Sequence, residues 1–560
     1  MKSPVDSFIL ARLETEHVKP APVADRSTLL RRLSLDLTGL PPTAAETESF
    51  LNDTREDAYA RRVDDLLASP HFGERWGRHW LDLARYADSS GYQVDRERPW
   101  AWVYRDWVIR SVNEDQPFDQ FTIWQLAGDL LAEKSSNTVQ RDQIIASGFH
   151  RLALSNHEDG VDEAEFVAKA KVDRVATTGT AWLGLTLACA ECHSHKFDPI
   201  SQREFYQLYA FFDPLREHDA DLGGGLVAYT FKGGTNATRT HVHIRGDFLR
   251  LGDEVSPGFL QCLGSTGCSK SPTRLDLARW IASPENPLTA RVEVNHLWLH
   301  LFGRGLVATT EDFGTRGEKP SHPELLDWLA TEFVRVGWSR KEMIRQIVNS
   351  ATYRQASNAR PELAERDPEN RWLARQNRLR LESEILRDSA LSASDLLNAS
   401  VGGKSFRPHL PEDVQWLSTA SAWSWTDDTG PVTYRRSLYI YTQRTVQHPL
   451  LPTFDQANPS ESCTRRDRSD TPLQALALLN NGVFIEAAHH LASTAETKFP
   501  GDRATQIQYA FLRCLGRKAS TTETRRMERL YDQVAKSHPG EAGFVTAQTL
   551  LNLDEFLNRE

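Results

Sequence analysis

Helical periodicity runs through most of this 560-residue chain, and a segment rich in Gly, Thr and Val interrupts it. Apolar residues recur every three or four positions in segments such as 27–40 and 321–333, which is the pattern of amphipathic helices. Within the interruption, Thr240, Val242 and Ile244 alternate with other residues as in a strand. The chain therefore predicts a mainly α fold, with two helical domains joined by a Gly/Thr-rich linker that contains a short β segment. The predicted boundaries are 1–212, 213–270 and 271–560.

Local signals predict where several helices begin and end. Ser27 and Ser321 are candidate N-caps, the second with a capping-box glutamate three residues later. A break is predicted at the pair Ser69–Pro70, between two helical stretches. Thr471 precedes a proline that suits the first helical position, and Asn481 precedes a glycine that predicts the end of that helix.

Composition excludes some classes of protein. The chain has 66 Lys and Arg against 76 Asp and Glu, a net charge of −10, which argues against a nucleic-acid binder. No apolar run approaches the roughly 20 residues that a membrane-spanning helix needs. The first 22 residues have neither a sustained apolar stretch nor a small-residue cleavage site, so no signal peptide is predicted.

The segment LACAECHSHKF contains the strongest chemical motif of the chain. Cys189, Cys192 and His193 form C-x-x-C-H, the attachment pattern of c-type haem. Two thiols one helical turn apart can form thioethers to the two vinyl groups of one porphyrin, and the following histidine can then ligate the iron. The motif predicts one covalently attached haem c, with His193 as the metal ligand.

Two other interpretations of the motif remain open. The two thiols with His193 or His195 would supply two or three ligands of a tetrahedral zinc site. The cysteines could also be structural, without a cofactor. The other four cysteines are poorly suited to complete a zinc site, because two are predicted to close a small disulfide loop and two are isolated: Cys262, Cys268, Cys463 and Cys514.

The sixth iron ligand is predicted to be a histidine or to be absent. Met343 lies in an ordinary amphipathic pattern in the other domain, so methionine ligation is not expected. His150 is the first candidate, followed by His79 in a Trp-rich helix and by His157. Bis-histidine ligation would indicate electron transfer, whereas an open position would permit chemistry on peroxide or another small molecule.

A basic cluster and many aromatic residues support a second hypothesis of another class. Arg465, Arg466 and Arg468 could hold carboxylates such as haem propionates or acidic sugars, or could simply pair with Asp467 and Asp470. With exposed Trp side chains they would suit a binding or assembly module for the breakdown of extracellular polysaccharide. In that hypothesis the C-x-x-C-H segment is structural or binds zinc.

Several segments resemble, in order, large planctomycete-type secreted proteins that combine a cytochrome-c-like domain with a planctomycete-specific C-terminal domain of unknown function. The N-terminal resemblance is carried by SPHFGERWGRHWLDLARYADSSGY (69–92) and TTGTAWLGLTLACAECHSHKFDPISQREFYQLYAFF (177–212). The C-terminal resemblance is carried by LDLARWIASPENPLTARVEVNHLWLHLFGRGLVATTEDFG (275–314) and TPLQALALLNN (471–481).

The resemblance implies a c-type haem protein that takes part in electron transfer or a redox step outside the cytoplasm. Such a protein is either an electron carrier or a haem-dependent oxidoreductase. Its expected partners are a redox protein, and proteins of the cell surface or of polysaccharide degradation. The expected location is the periplasm or the cell surface, since haem c is attached outside the cytoplasm.

Overall fold

The computed structural model describes residues 3–132, 137–233, 239–264, 271–412, 414–415 and 425–560. The N-terminal part is built from ten α-helices: α1 Pro4–Thr15, α2 Arg26–Thr38, α3 Ala44–Asn52, α4 Ala58–Leu67, α5 Pro70–Leu83, α6 Ala101–Asn113, α7 Phe118–Ala132, α8 Asn137–Ala146, α9 Glu163–Thr178 and α10 Gln202–Tyr209. Short 3-10 helices at Ser147–Leu152 and Leu187–Glu191 and a π-helical turn at Gly179–Leu183 connect some of them.

Two antiparallel hairpins follow. Strand β1 (Leu215–Gly223) pairs with β2 (Leu226–Gly233), and β3 (Thr240–His243) pairs with β4 (Leu251–Val255). The predicted β segment between two helical blocks is thus confirmed as two hairpins. A further short pair, β5 (Leu379–Arg380) with β6 (Asn558–Arg559), ties the C-terminus to the middle of the chain.

The C-terminal part is again helical, which confirms the predicted mainly α class. Its helices are α11 Arg274–Ile281, α12 Thr289–Phe302, α13 Pro323–Arg335, α14 Arg340–Asn349, α15 Ser383–Ala393, α16 Leu450–Thr453, α17 Pro472–Asn480, α18 Gly482–Lys498, α19 Arg503–Leu515, α20 Thr521–Ser537, α21 Ala542–Leu551 and α22 Asp554–Leu557. None of the described helices is long and apolar enough to cross a bilayer.

The predicted caps are partly correct. Thr471 caps α17, and Asn481 ends that helix and caps the next one through its side chain. The predicted break at Ser69–Pro70 is also present. Ser27 is not the cap of α2, because Asp25 accepts the hydrogen bond from the first turn. Ser321 does not cap α13 either, since its hydroxyl bonds to the neighbouring His322 ring.

Among the described residues, two large hydrophobic cores and a small cluster around Trp425 underlie the fold, and the two large cores do not follow the predicted linker. The larger core takes side chains from both sides of segment 213–270, from Val5 on α1 to Leu451 on α16. The smaller core joins α15 to the C-terminal helices α18, α19 and α21, and includes Leu35 of α2. The two helical parts therefore share apolar packing, and the predicted boundaries stay a prediction.

Helix α5 is buried on nearly all sides, and its charged residues are paired across the fold. Glu74 accepts hydrogen bonds from Arg436, 2.7 Å, and from Tyr439, 2.6 Å. Arg436 also bonds to Asp388 of α15 at 2.9 Å. We call the contact between α5 and residues 382–388, 436 and 464–468 the seam. Since a buried charge without a partner is very costly, the ions of the seam fix the two parts of the chain against each other.

Replacing Arg436 with methionine is expected to destabilise the protein by about 3–5 kcal/mol, because two buried carboxylates lose their partner. Urea unfolding followed by circular dichroism measures the change. Arg61→Met is the control, since Arg61 and Asp57 form a pair that is more than half exposed and such pairs contribute little. A loss for Arg436→Met no greater than that of the control would contradict the structural importance of the seam.

The acid stability of the protein should depend on Glu74. Burial by itself raises the pKa of Glu74, but the charge of Arg436 and hydrogen bonds from His71 and Tyr439 outweigh it and bring the pKa to about 2. The folded pKa is thus below the unfolded one, so this stabilisation is present above about pH 4.5 and is lost as the pH falls towards 2. Unfolding free energies of wild type and Glu74→Gln, measured between pH 6 and 3, should converge as the pH falls. A constant difference would contradict a folded pKa of Glu74 that lies below the unfolded one.

Candidate functional site

The C-x-x-C-H motif lies on the surface and not on an α-helix. We call residues 189–193 the CxxCH turn. Helix α9 ends at Thr178, and the chain then passes through a π-helical turn and the left-handed residue Gly184 before the 3-10 helix Leu187–Glu191. A Cβ at Gly184 would lie 2.7 Å from the Phe313 ring, so both the conformation and the close packing require glycine there. The thiols of Cys189 and Cys192 are free and exposed.

His193 presents one ring nitrogen in a form that suits a metal. Its side chain is exposed, and Nδ1 lies 2.8 Å from the carbonyl oxygen of Ser194. A backbone carbonyl can only accept, so Nδ1 carries the proton and Nε2 has its lone pair available. The hydrogen bond therefore selects the tautomer that a haem or zinc ligand needs.

His195 is engaged elsewhere. Its Nδ1 accepts a hydrogen bond from the backbone N–H of Asp198 at 2.9 Å, and Nε2 lies 3.3 Å from the Thr186 hydroxyl. A zinc ion bound to either ring nitrogen of His195 would have to displace the contact that this nitrogen makes. In addition, burial and the nearby Glu191 raise the pKa of the Cys192 thiol, which disfavours the thiolate that zinc binds.

Exposed apolar side chains border the CxxCH turn. A Cβ at Gly246 would lie 2.7 Å from Cys192 Sγ, so the turn between β3 and β4 packs directly against the motif. We call the exposed side chains of that turn, together with one that follows the motif, the apolar rim: Phe197, Ile244, Leu249 and Leu251. Large apolar side chains gathered at one surface are typical of a place where another group binds.

The predicted sixth ligands are more buried than the exposed CxxCH turn. His150 is fully buried between the rings of Phe149 and Phe212, and neither of its ring nitrogens has a hydrogen-bond partner among the described residues. Burial, assisted by the charge of Arg174, holds the pKa of His150 well below its usual value. His157 is half-buried near Ser155. Cys189, Cys192 and His193 thus lie together at the surface, whereas His150 lies in the core.

His79 belongs to a different group of side chains, which lies in the seam. Its ring stacks on that of His300 from α12, with centroids 3.4 Å apart, and Trp76 packs edge-on against both. Glu382, the residue before α15, completes the group. In the described part of the chain, these are the only three His, Cys, Asp or Glu side chains whose ligand atoms all lie within 4.8 Å of one another. We call them the seam cluster.

Ion pairs surround the seam cluster. Arg75 donates to both oxygens of Glu382, at 2.6 and 3.1 Å. Arg466 pairs with Asp82 and with Glu384, both at 2.7 Å. Burial raises the pKa of Glu382, but Arg75 and the other cations more than compensate, and the net pKa lies well below 4.5. Glu382 is therefore ionised, as an anionic ligand must be.

Both imidazoles of the cluster are neutral. Burial holds the pKa of His79 and that of His300 well below 6.5, and each is lowered further by nearby cations. The group lines a small cavity of about 30 Å³, which also contacts Cys463 and Arg466. Such a volume accommodates an ion with a solvent molecule, since one water needs about 10–15 Å³.

Two members of this cluster, His300 and Glu382, were not predicted from the sequence. His300 lies one helical turn after His296, and that spacing on one face of α12 is a signal that sequence alone offers. Glu382 gives no such signal, because a glutamate before a helix is ordinary. Only the tertiary structure brings both next to His79.

The remaining predicted groups are placed as follows. Arg466 does not pair with Asp467 or Asp470, as the simple surface interpretation expects, but with the buried Asp82 and Glu384. The described Trp side chains, which exclude Trp416 and Trp423, are buried or half-buried. Cys262 is free and exposed, and Cys268, its predicted disulfide partner, lies outside the described residues.

Alkylation of the folded, reduced protein should separate the cysteines by depth. Cys189 and Cys192 should react readily with iodoacetamide, whereas Cys514 should react only after unfolding. Cys514 is fully buried in the smaller core, and burial raises its pKa to about 12. Peptide mass spectrometry, with the protein in denaturant as the control, measures each site. Rapid labelling of Cys514 in the folded protein would contradict the packing of that core.

Two family models match the chain. Residues 4–217 match PSCyt2, described as a protein of unknown function (DUF1549), and residues 273–531 match PSD1, described as a protein of unknown function (DUF1553). No curated protein and no solved structure matches the chain. The first matched region contains the CxxCH turn and His79, and the second contains His300 and Glu382. The chain therefore carries two planctomycete-type domains of unknown function, PSCyt2 followed by PSD1.

Proposed function

We propose that the CxxCH turn is the attachment site of one haem c and that the protein acts in electron transfer or a redox step outside the cytoplasm. The observation that carries this proposal is the hydrogen bond from His193 Nδ1 to the Ser194 carbonyl, which leaves Nε2 as the available ligand nitrogen. Free and exposed thiols at Cys189 and Cys192 add to it, because attachment requires that both be accessible.

The residues of the turn fit the group chemically. Cys189 and Cys192 would hold the porphyrin through two thioethers, and His193 would hold the iron. When bound, haem supplies a one-electron iron couple whose potential depends on the ligands and on burial. Neither thiol is committed to a disulfide in the structure.

The surroundings of the turn would shield and orient a flat apolar group. The apolar rim offers side chains to cover the porphyrin face. Lys196 and Arg316 lie over the Phe197 ring, at 5.3 and 4.9 Å from its centroid, and supply two cations that can pair with propionates. This surface therefore combines apolar contact with the charge that haem requires.

The depth of the histidines favours an open sixth position. His193 is exposed, whereas His150 is fully buried and His79 is stacked on His300 in the seam. His150 and His79 as sixth ligands stay predictions. An iron with one protein ligand would be accessible to small molecules, so a haem-dependent oxidoreductase is the specific form of the redox function to test.

The alternative of a polysaccharide-binding module has less support. It relies on exposed Trp side chains and on a free arginine cluster. The described Trp residues are not exposed, and Arg466 is bound in buried ion pairs. The proposed partner is accordingly a redox protein, and the proposed location is the periplasm or the cell surface.

The test is expression with an added export signal and a cytochrome c maturation system. A pyridine haemochrome spectrum should show one haem per chain, and the haem stain should survive a denaturing gel. Replacing both Cys189 and Cys192 with alanine should abolish the stain, because both thioethers are lost.

Cys262→Ala is the matched control, since it removes an exposed thiol outside the motif and should leave the haem content unchanged. His193→Ala should keep the covalent stain and change the visible spectrum of the iron. A colourless wild-type protein, produced while a known cytochrome matures in the same cells, would contradict the proposed function.

A further inference from the structure

The seam holds a set of metal donors that is independent of the CxxCH turn. We propose that His79, His300 and Glu382 form a mononuclear site for a divalent transition metal of the zinc class, with an open position facing the cavity beside Cys463. Two imidazoles and one carboxylate are a donor set that Zn²⁺ and Fe²⁺ both accept. The site joins the two matched regions, because His79 comes from the first and the other two ligands come from the second.

The ligand atoms of the cluster are nearly as close together as those around a coordinated ion. Ligands of a tetrahedral zinc are about 2.0–2.2 Å from the metal, which places them about 3.4 Å from one another. The ligand atoms of the three side chains lie within 4.8 Å of one another. The planes of the two imidazoles are only 17° apart, so their lone pairs do not converge in this arrangement, and binding an ion also requires one ring to rotate.

An unpartnered nitrogen points to a missing ligand. His79 is 8% exposed, and its Nε2 is buried without a hydrogen-bond partner among the described residues. A buried polar atom in this state costs free energy unless something binds it. A metal ion would satisfy His79 Nε2 and would also hold apart the two ring faces that now stack.

Arg75 does not compete with the ion for Glu382. Each carboxylate oxygen has two lone pairs, and Arg75 occupies one on each oxygen. The remaining lone pairs can ligate. Metal-binding carboxylates are commonly hydrogen-bonded by an outer partner that orients them, and the two-point contact from Arg75 provides this. Arg75 is thus a positioning residue for the site.

The charges around the cavity indicate what else would bind. Three arginines pair with three carboxylates: Arg75, Arg78 and Arg466 with Asp82, Glu382 and Glu384. These three pairs are neutral, but Arg465 and Arg468 add positive charge to the same cavity, so a dication would add two further positive charges to a poorly solvated place. The open position would consequently favour an anionic ligand such as hydroxide, and Arg465 and Arg468 line the same cavity.

The test uses the full chain in a Cys189→Ser, Cys192→Ser background, so that neither haem nor zinc can occupy the CxxCH turn. After treatment with a chelator, the protein is titrated with Zn²⁺ and the bound metal is counted by mass spectrometry. One tightly bound Zn²⁺ per chain and a higher melting temperature with metal are expected. Co²⁺ in its place should give the spectrum of nitrogen and oxygen ligands without a thiolate charge-transfer band.

His300→Asn and Glu382→Gln should each weaken Zn²⁺ binding by more than 100-fold, above the roughly 10–100-fold effect of losing an outer-shell group. His296→Asn is the matched control, since His296 lies one turn earlier on α12 and lines the same cavity. It should leave the affinity within a few-fold of the parent.

Absence of bound Zn²⁺ in the folded background protein would overturn the proposal, whether or not the variants fold. Unchanged affinity in a folded His300→Asn protein, or a thiolate charge-transfer band with Co²⁺, would overturn it as well. These results are separate from the haem test, because the haem requires only the turn that this background removes.

Discussion

The ion pairs of the seam are the constraint on which the rest of the structure depends. Helix α5 is buried on nearly all sides, yet it contains Glu74, Arg75, Arg78 and Asp82. Each of these charges has a partner in the second half of the chain. The helix can therefore be buried only if residues 382–388, 436 and 464–468 are in place. This makes the two parts one cooperative unit, even though two family models describe them.

The same frame gives the seam cluster its chemistry. Burial, with the nearby arginines, holds the pKa of His79 and that of His300 well below 6.5, so both stay neutral and keep lone pairs that can bind a metal. Arg75 keeps Glu382 ionised and fixes its orientation. The same ion pairs thus stabilise the packing of the seam and set the charge state of the proposed metal ligands. A substitution that removes an ion pair would alter both.

We propose two distinct sites, one at the surface of the protein and one in its interior. The CxxCH turn has exposed, free thiols and is bordered by the apolar rim, which would suit a covalent attachment site. The seam cluster is enclosed and pre-arranged around a small cavity. The CxxCH turn would suit electron exchange with a partner at the surface. The seam cluster would suit a small ion and its ligand.

The sequence by itself determined the helical class, the interrupting β region and the presence of the CxxCH motif. These are local properties: hydrophobic spacing, turn residues, and thiols close together in the chain. The conformation of the motif was not among them, because the π-helical turn from Gly179 and the left-handed, closely packed Gly184 separate it from helix α9. The predicted N-cap Ser27 was wrong, because Asp25, two residues earlier, accepts the hydrogen bond from the first turn of α2.

Only the tertiary structure decided which histidines lie next to each other. His79 was expected near the haem, but α5 turns it towards His300, more than two hundred residues away, and towards Glu382. Contacts at that separation depend on how helices pack and on which buried charges must meet, and neither is encoded in a short stretch of sequence. The sequence determined the residues available for chemistry, and the long-range packing of buried ions decided where that chemistry is brought together.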